Sequence, residues 1–210
     1  MPPMTEFSPV WNLPFWSTIY PDQSDINIAH DWILENESNL INKYFPKNKG
    51  TDGGTGLGVK SLTAQYHSFN LFQETKDIDA FNRIFKFIRN EYEKFMIEYN
   101  SNIRKCSLYC WANVVRTGQT INKHHHGAWH YSYLSGNMHF GNYETMTSYY
   151  NPYGDLYYDQ PNIKGGLTFF PSYLLHSVNE HKESCDRVSI AFDIFDKQHL
   201  DKHDNNHVDF

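Results

Sequence analysis

Apolar and polar positions change their period once along the chain, near residue 100. Before that point the spacing is helical. Ile28, Trp32, Ile33, Leu40, Ile41 and Tyr44 recur at roughly one face of a helix over 24–44, with Ser24 or Asp25 available as its cap and Pro46 as its stop. A stronger stripe follows: Ile78, Phe81, Ile84, Phe85, Ile88, Tyr92, Phe95, Met96 and Tyr99. It predicts a helix over about 76–99 capped by Thr75, with Lys86, Arg89, Asn90 and Glu93 on its polar face. From Cys106 onward the period is two. The run CSLYCWANVV predicts a strand over 106–115, with Trp111 and Asn113 on one face and Cys110, Ala112 and Val114 on the other. Further strands are expected near 120–126, 131–140, 144–150, 166–171, 174–178 and 187–195, punctuated by Gly, Asn and Pro.

The remaining stretches are less regular. Residues 1–22 interleave Trp11, Phe15, Trp16 and Tyr20 with Pro3, Pro9, Pro14 and Pro21, which forbid a helix interior and predict an extended arm or short strand at 14–20. Residues 61–73 alternate loosely and predict a strand. Residues 46–60 are rich in glycine, but Gly58-Val59-Lys60-Ser61 breaks the spacing of a phosphate-binding loop, and Gly54, Gly56 and Gly58 do not form a dinucleotide fingerprint. A flexible surface loop is expected there. Two helices followed by many short strands make the fold class mainly β with flanking helices, a curved sandwich or barrel backed by the helical half. A single domain is expected over 1–196, with helical support at 24–99, a β core at 106–195 and a frayed polar tail at 197–210.

Composition narrows the function. A chain of 210 residues with 40% hydrophobic residues is long enough for one substantial core. A net charge of −6 argues against nucleic acid as a partner, because such binding needs Lys and Arg to displace counterions. Cys106, Cys110 and Cys185 are too few and too unevenly spaced for a disulfide framework or a zinc ribbon. The N-terminus has no basic region followed by an apolar run, and no segment is apolar for long enough to cross a bilayer, so a cytoplasmic protein is expected.

The chemistry gathers in two places. In a strand, His124 and His126 point to the same face and His125 away from it, a geometry that suits two imidazoles on one ion. His176, far along the chain, is the candidate third ligand, and Arg187 beyond it is a candidate anchor for an anion. Imidazole binds borderline divalent metals, and three ligands on one face leave positions open for reaction. His130 and His139 are weaker candidates for the pocket lining. His199, His203 and His207 stand four apart, but among Asp201, Asp204 and Asn205 they read as a solvated tail.

The segments WANVVRTGQTINKHHH, SYLSGNMHF, GGLTFFPSYLLHSV and DRVSIAFD together resemble the 2-oxoglutarate- and Fe(II)-dependent oxygenases, in a prolyl-hydroxylase-like branch found in phages and marine bacteria. The resemblance covers about residues 106–195. It implies a double-stranded β-helix (jelly-roll, cupin-like) core supported by the two long helices of the N-terminal half. It also implies Fe(II) as metal and 2-oxoglutarate as co-substrate, decarboxylated to succinate as the prime substrate is hydroxylated. On this reading His176 matches the distal iron ligand, Arg187 the partner of the distal carboxylate of 2-oxoglutarate, and Ser189 its hydroxyl helper. Asn113 and Tyr133 would hydrogen-bond the co-substrate. For a phage-encoded protein the compartment would be the host cytoplasm.

His124 falls where the family places its first ligand, but the family's usual His-x-Asp or His-x-Glu is His-x-His here. Three accounts follow. The site is all histidine, formed by His124, His126 and His176; or the frame shifts so that His126 ligates and Ala128 leaves a vacancy, as in halogenating members; or a distant acid such as Glu144 or Asp155 completes the set, or else the site has lost catalysis. Residues 143–164 carry six tyrosines, which together with Trp129 and Tyr131 suit either a substrate-recognition surface or a hairpin held by cross-strand rings. The expected partner is a small-molecule or peptide substrate. Oligomeric state is left open, a homodimer included. Two other readings remain: a cupin-like three-histidine metal enzyme that does not use 2-oxoglutarate, and a non-catalytic binding protein retaining the fold.

Overall fold

The computed structural model describes residues 12–45, 50–66, 68–99, 101–126, 132–199 and 206–210, without the side chains of Tyr157 and His199. Strand β1 (Trp16–Ile19) precedes helix α1 (Gln23–Tyr44), a single turn α2 (Leu71–Glu74) and helix α3 (Asp79–Glu98). Nine strands follow: β2 (Cys106–Val115), β3 (Ile121–His124), β4 (Ser132–His139), β5 (Tyr143–Tyr150), β6 (Leu156–Asn162), β7 (Gly166–Pro171), β8 (His176–Val178), β9 (Arg187–Asp196) and β10 (Val208–Asp209). They form two antiparallel sheets, one ordered β1-β7-β4-β9-β2-β10 and the other β3-β8-β5-β6. The non-consecutive strand order is that of a jelly roll. No helix among the described residues is long and apolar enough to cross a membrane.

Both long helices form where the helical period predicts them. Asp22, not Ser24 or Asp25, caps α1: its carboxylate accepts from the backbone N–H of Ser24 at 2.9 Å and of Asp25 at 3.3 Å. The helix buries Ile26, Ala29, Ile33, Leu40 and Tyr44. The expected stop, Pro46, lies outside the described residues. Helix α3 begins at Asp79 without a side-chain cap. Thr75 instead ends α2, where its hydroxyl donates to the Leu71 carbonyl at 2.8 Å. Residues 61–73 do not form the expected strand. They make a 3-10 turn at Thr63–Gln65 and enter α2, whose cap Asn70 is fixed by donating to Leu108 O at 2.7 Å. A buried amide that ties a helix start to β2 overrides a weak alternation.

The main core lies between α1, α3 and the six-stranded sheet. Ile33, Phe81, Ile84, Ile88, Leu108, Ala112, Met138, Val188, Ile190, Phe192 and Ile194 are all buried in it. On β9 the even-numbered residues face the helices, and the odd-numbered Arg187, Ser189, Ala191 and Asp193 face the second sheet. That second interface is sparsely apolar. Val115, Ile121 and Val178 close one end, and Tyr149, Phe170 and Leu174 make a second small cluster. A polar layer between them includes Asn137, whose amide donates to Tyr149 Oη at 3.0 Å.

The tyrosine-rich segment forms the β5–β6 hairpin, with Tyr149 opposite Tyr158. The glycine-rich loop is built around one side chain. Asp52 accepts backbone N–H bonds from Gly54, Gly56 and Gly58 at 2.9–3.0 Å, and the carbonyl of Thr55 receives the N–H of Asn122 at 2.8 Å. All three glycines have φ between 80° and 86°, a conformation in which a Cβ is strained, so the wrap around Asp52 requires glycine. The chain end also differs from the frayed tail expected. Val208 and Asp209 add a strand to β2, and Phe210 packs on Phe85 and Tyr92.

Candidate active site

β3 and β8 pair antiparallel with His124 opposite His176, so two imidazoles far apart in sequence become neighbours through backbone register. A backbone hydrogen bond from His126 N to Ser172 O at 2.8 Å holds the chain beyond β3 against the β7–β8 turn. The ring centroids of His124 and His176 lie 4.3 Å apart, and those of His126 and His176 4.9 Å. One nitrogen from each of the three rings falls within 4.8 Å of the others.

The hydrogen bonds fix which nitrogens these are. His124 Nδ1 donates to Asn122 O at 2.7 Å and His176 Nδ1 to Leu174 O at 2.9 Å. His126 Nδ1 donates to the Asp193 carboxylate at 2.7 Å. Each acceptor can only accept, so each ring carries a proton on Nδ1, and in the neutral ring the lone pair is then on Nε2. His124 Nε2 and His126 Nε2 are 3.3 Å apart. Two lone pairs at that distance repel unless a cation sits against them. Burial and the neighbouring His126 push His124 down to about 4, and burial with the other two rings pushes His176 well below the ordinary histidine range. His124 and His176 are therefore held neutral, the state that binds a metal.

Arg187 lies at the β2 end of the same inner face and is 2% exposed. One terminal nitrogen donates to Ser189 Oγ at 3.3 Å and the other approaches His139 Nδ1 at 3.5 Å, while Nε has no partner. No carboxylate pairs with it among the described residues. Burial, partly countered by Tyr143 and Tyr149, pushes the guanidinium down to about 10, so it remains charged at neutral pH. A buried cation without a counter-anion is costly unless a ligand supplies the anion. His139 stays neutral, pushed well below its ordinary range by burial and then by Arg187. Tyr149 stands between the two groups. Its ring is 6.0 Å from that of His176, and burial holds its hydroxyl above the ordinary tyrosine range, opposed by the Asn137 hydrogen bond and then by Arg187.

Of the residues singled out from sequence, His124, His126 and His176 converge, and Arg187 contacts Ser189. Asn113 sits on the same rung as Ser189, with its side-chain carbonyl accepting from Thr63 Oγ1 at 2.6 Å. Tyr133 is not brought to this face. Ser132 pairs with Phe195 and Leu134 with Ile194, so Tyr133 is the extra residue of a bulge in β4 and turns toward α3. Its hydroxyl meets Tyr92 Oη at 2.7 Å and Cys106 Sγ at 2.9 Å. Glu144 and Asp155 are exposed and outside the histidine group. Ala128, Trp129, His130, Tyr131 and His203 lie outside the described residues, as does the side chain of His199. Asp193 was not identified from sequence as part of the site, whereas His139 was a weaker candidate for its lining and Tyr149 was one of the six tyrosines of 143–164. The signal for Asp193 was present: it shares the odd-numbered face of β9 with Arg187 and Ser189.

No protein-family profile matches the chain, and no curated protein matches it in sequence. Solved structures do match in fold. A prolyl-4-hydroxylase from Pseudomonas putida superposes with a TM-score of 0.52 at 9% identity over 88% of this chain and 94% of that one. The viral collagen prolyl hydroxylase of Paramecium bursaria Chlorella virus-1, in complex with 2-oxoglutarate, gives 0.52 at 12% identity over 86% and 95%. The epimerase SnoN of nogalamycin biosynthesis, in complex with Fe3+, α-ketoglutarate and nogalamycin RO, gives 0.54 at 10% identity over 88% and 79%. At such identities the shared property is the fold, and the chain has the fold seen in these 2-oxoglutarate-dependent enzymes.

Proposed function

We propose that this protein is a 2-oxoglutarate- and Fe(II)-dependent oxygenase acting on a peptide side chain or a small organic molecule. The observation that carries the reading is the pairing of two complementary groups on one inner face. Three imidazoles turn ring nitrogens toward a common point, and a buried guanidinium on the same face lacks an anion among the described residues. A molecule that chelates a metal at one end and ends in a carboxylate at the other satisfies both, and 2-oxoglutarate is such a molecule.

His124, His126 and His176 would hold the metal through Nε2. With 2-oxoglutarate and O2 the bound metal supplies oxidation of a substrate C–H bond, coupled to decarboxylation of the co-substrate to succinate. The protein's own part is binding and placement. Arg187 would receive the distal carboxylate bidentately, its fork matching the two oxygens in a way that a lysine would not. Ser189 and Tyr149 offer hydroxyls beside that fork, and Asn113 the amide nitrogen left over from its bond to Thr63. His139 holds one arm of the guanidinium. Phe170 and Tyr149 shield the imidazoles from water on the β7 side.

For the prime substrate, the collagen prolyl hydroxylase among the structural neighbours acts on a peptide, and SnoN was captured with nogalamycin RO. Here the exposed rings of Tyr153 and Tyr173, and Tyr150 under Lys123 with its ammonium 3.6 Å from the ring centre, offer aromatic surface on the hairpin and the β7–β8 turn.

The test is anaerobic. Fe(II) and 2-oxoglutarate added together should give a weak visible charge-transfer band, absent with either alone, absent in His176→Ala and lost in Arg187→Ala. Exposure to O2 should then yield succinate. Metal binding with no band and no succinate would overturn the reading in favour of a three-histidine metal enzyme of another type. Absence of metal binding would leave a binding protein with this fold.

A further inference from the structure

We infer that Asp193 supplies the negative charge of this metal centre, moved from the position beside His124 to the strand behind His126. The inference rests on the proposed metal site and adds a positioning residue to it. The chain next to the first histidine carries imidazole at the place where the resembling family carries a carboxylate. A site of three neutral ligands leaves the full charge of a divalent cation on buried surroundings. On the inner face of β9, one oxygen of Asp193 accepts from His126 Nδ1 at 2.7 Å and from Ser135 Oγ at 2.5 Å. Ser135 Oγ is in turn 2.8 Å from Ser172 Oγ, on the turn whose carbonyl binds His126 N. The carboxylate side chain is only 13% exposed and, among the described residues, has no basic side chain paired with it other than His126.

This geometry gives Asp193 two effects that can be separated. It fixes the Nδ1–H form of His126, so the lone pair is on Nε2. It also polarises that N–H, which makes Nε2 a more basic ligand and partly offsets the missing charge. His124 and His176 donate to neutral carbonyls instead, so only one of the three ligands is reinforced in this way.

The experiment titrates the full-length protein with Co(II), whose absorption reports coordination without turnover. Asp193→Asn keeps an acceptor for His126 but removes the charge. It should bind Co(II) about tenfold more weakly than the wild type, and Asp193→Ala, lacking both, up to about a hundredfold more weakly. Asp193→Glu should recover most of the affinity. Equal Co(II) affinity in the wild type and Asp193→Asn, with binding lost in His126→Ala, would overturn the role of Asp193 and leave the three-histidine site standing. Unchanged binding in His126→Ala, or no binding by the wild type, would bring down the site itself and this inference with it. Should the variants fail to fold, nitrogen NMR on the Zn(II)-loaded wild type decides. The His126 Nδ1–H proton should lie downfield of those of His124 and His176, and the same shift for all three would refute the inference.

Discussion

The two faces of β9 meet buried polar groups in opposite ways. Behind the sheet, where the even-numbered residues point, buried acids have their partners. Asp25 receives Tyr20 Oη at 2.6 Å and both Nε and a terminal nitrogen of Arg83, and Glu91 receives Trp16 Nε1 at 3.0 Å and Lys94 Nζ at 2.6 Å. In front of it, among the described residues, Arg187 has no counter-ion, and Arg187 Nε, His139 Nε2 and Asn137 Oδ1 have no hydrogen-bond partner. One face is finished by folding alone, and the other, on the proposed function, would be completed by a ligand. A buried unpaired group is unfavourable for stability, so its retention on one face only marks that face as the place where ligands bind.

Breaking each face should therefore produce different losses. The largest effect is expected behind the sheet. Phe192 is fully buried between Phe169 and the backbone at Gly136, and Phe192→Ala should cost about 3–5 kcal/mol in a denaturant titration. In the fraction that remains folded, Co(II) binding should persist, because the side chain points away from the histidines. In front of the sheet the expectation reverses. Arg187→Met removes a buried charge that has no counter-ion, so thermal stability should stay level or rise. Binding of 2-oxoglutarate, followed by the Fe(II) charge-transfer band, should weaken by about a hundredfold, about 2.7 kcal/mol. A loss of stability in Arg187→Met would mean that the guanidinium is structural and that the contrast between the faces is false.

A milder probe of the front face is Tyr149→Phe. It removes the hydroxyl that accepts from Asn137 and faces the Arg187 pocket, and leaves the ring packing on Phe15 and Phe170. The KM for 2-oxoglutarate should rise about tenfold while stability falls by about 1 kcal/mol. An unchanged KM would remove Tyr149 from the co-substrate site.

The sequence exposes this two-faced design only in part. Alternation along β2 and β9 is visible because each side is buried by something different, and the stripe of α3 is visible because it repeats over five turns. The convergence of His124 with His176 was inferable once β3 and β8 were taken as neighbours. Tyr133 was misplaced because a single bulged residue inverts parity, and nothing in SYLSGNMHF marks where the extra residue falls. Asp193 was passed over for another reason. A lone acid within a strand does not show its partners, and those of Asp193, Ser135 and His126, come from two distant segments. Residues 61–73 and the Asp52 loop follow the same rule. Asn70 bonded to Leu108 and Asp52 wrapped by three glycine N–H groups are tertiary or long-loop arrangements, which local propensity does not report.

The smallest expected effect is a pH dependence confined to the back face. The hydrogen bonds from Arg83, and then that from Tyr20, hold Asp25 below its ordinary carboxyl range against the opposing effect of burial. A carboxyl depressed on folding contributes stability above its unfolded value, about pH 4, and that contribution disappears as pH falls through the lower folded value. Asp25→Asn should lower stability at pH 7 by about 1 kcal/mol, a modest figure because Arg83 is half exposed and screened by solvent. Below pH 4 the variant and wild-type curves should converge. At neutral pH its Co(II) affinity and 2-oxoglutarate binding should match the wild type, since the acid lies behind the sheet. If Asp25→Asn weakened the metal site as well, the two faces would be coupled through β9, and the division between a face completed by folding and a face completed by ligand would no longer hold.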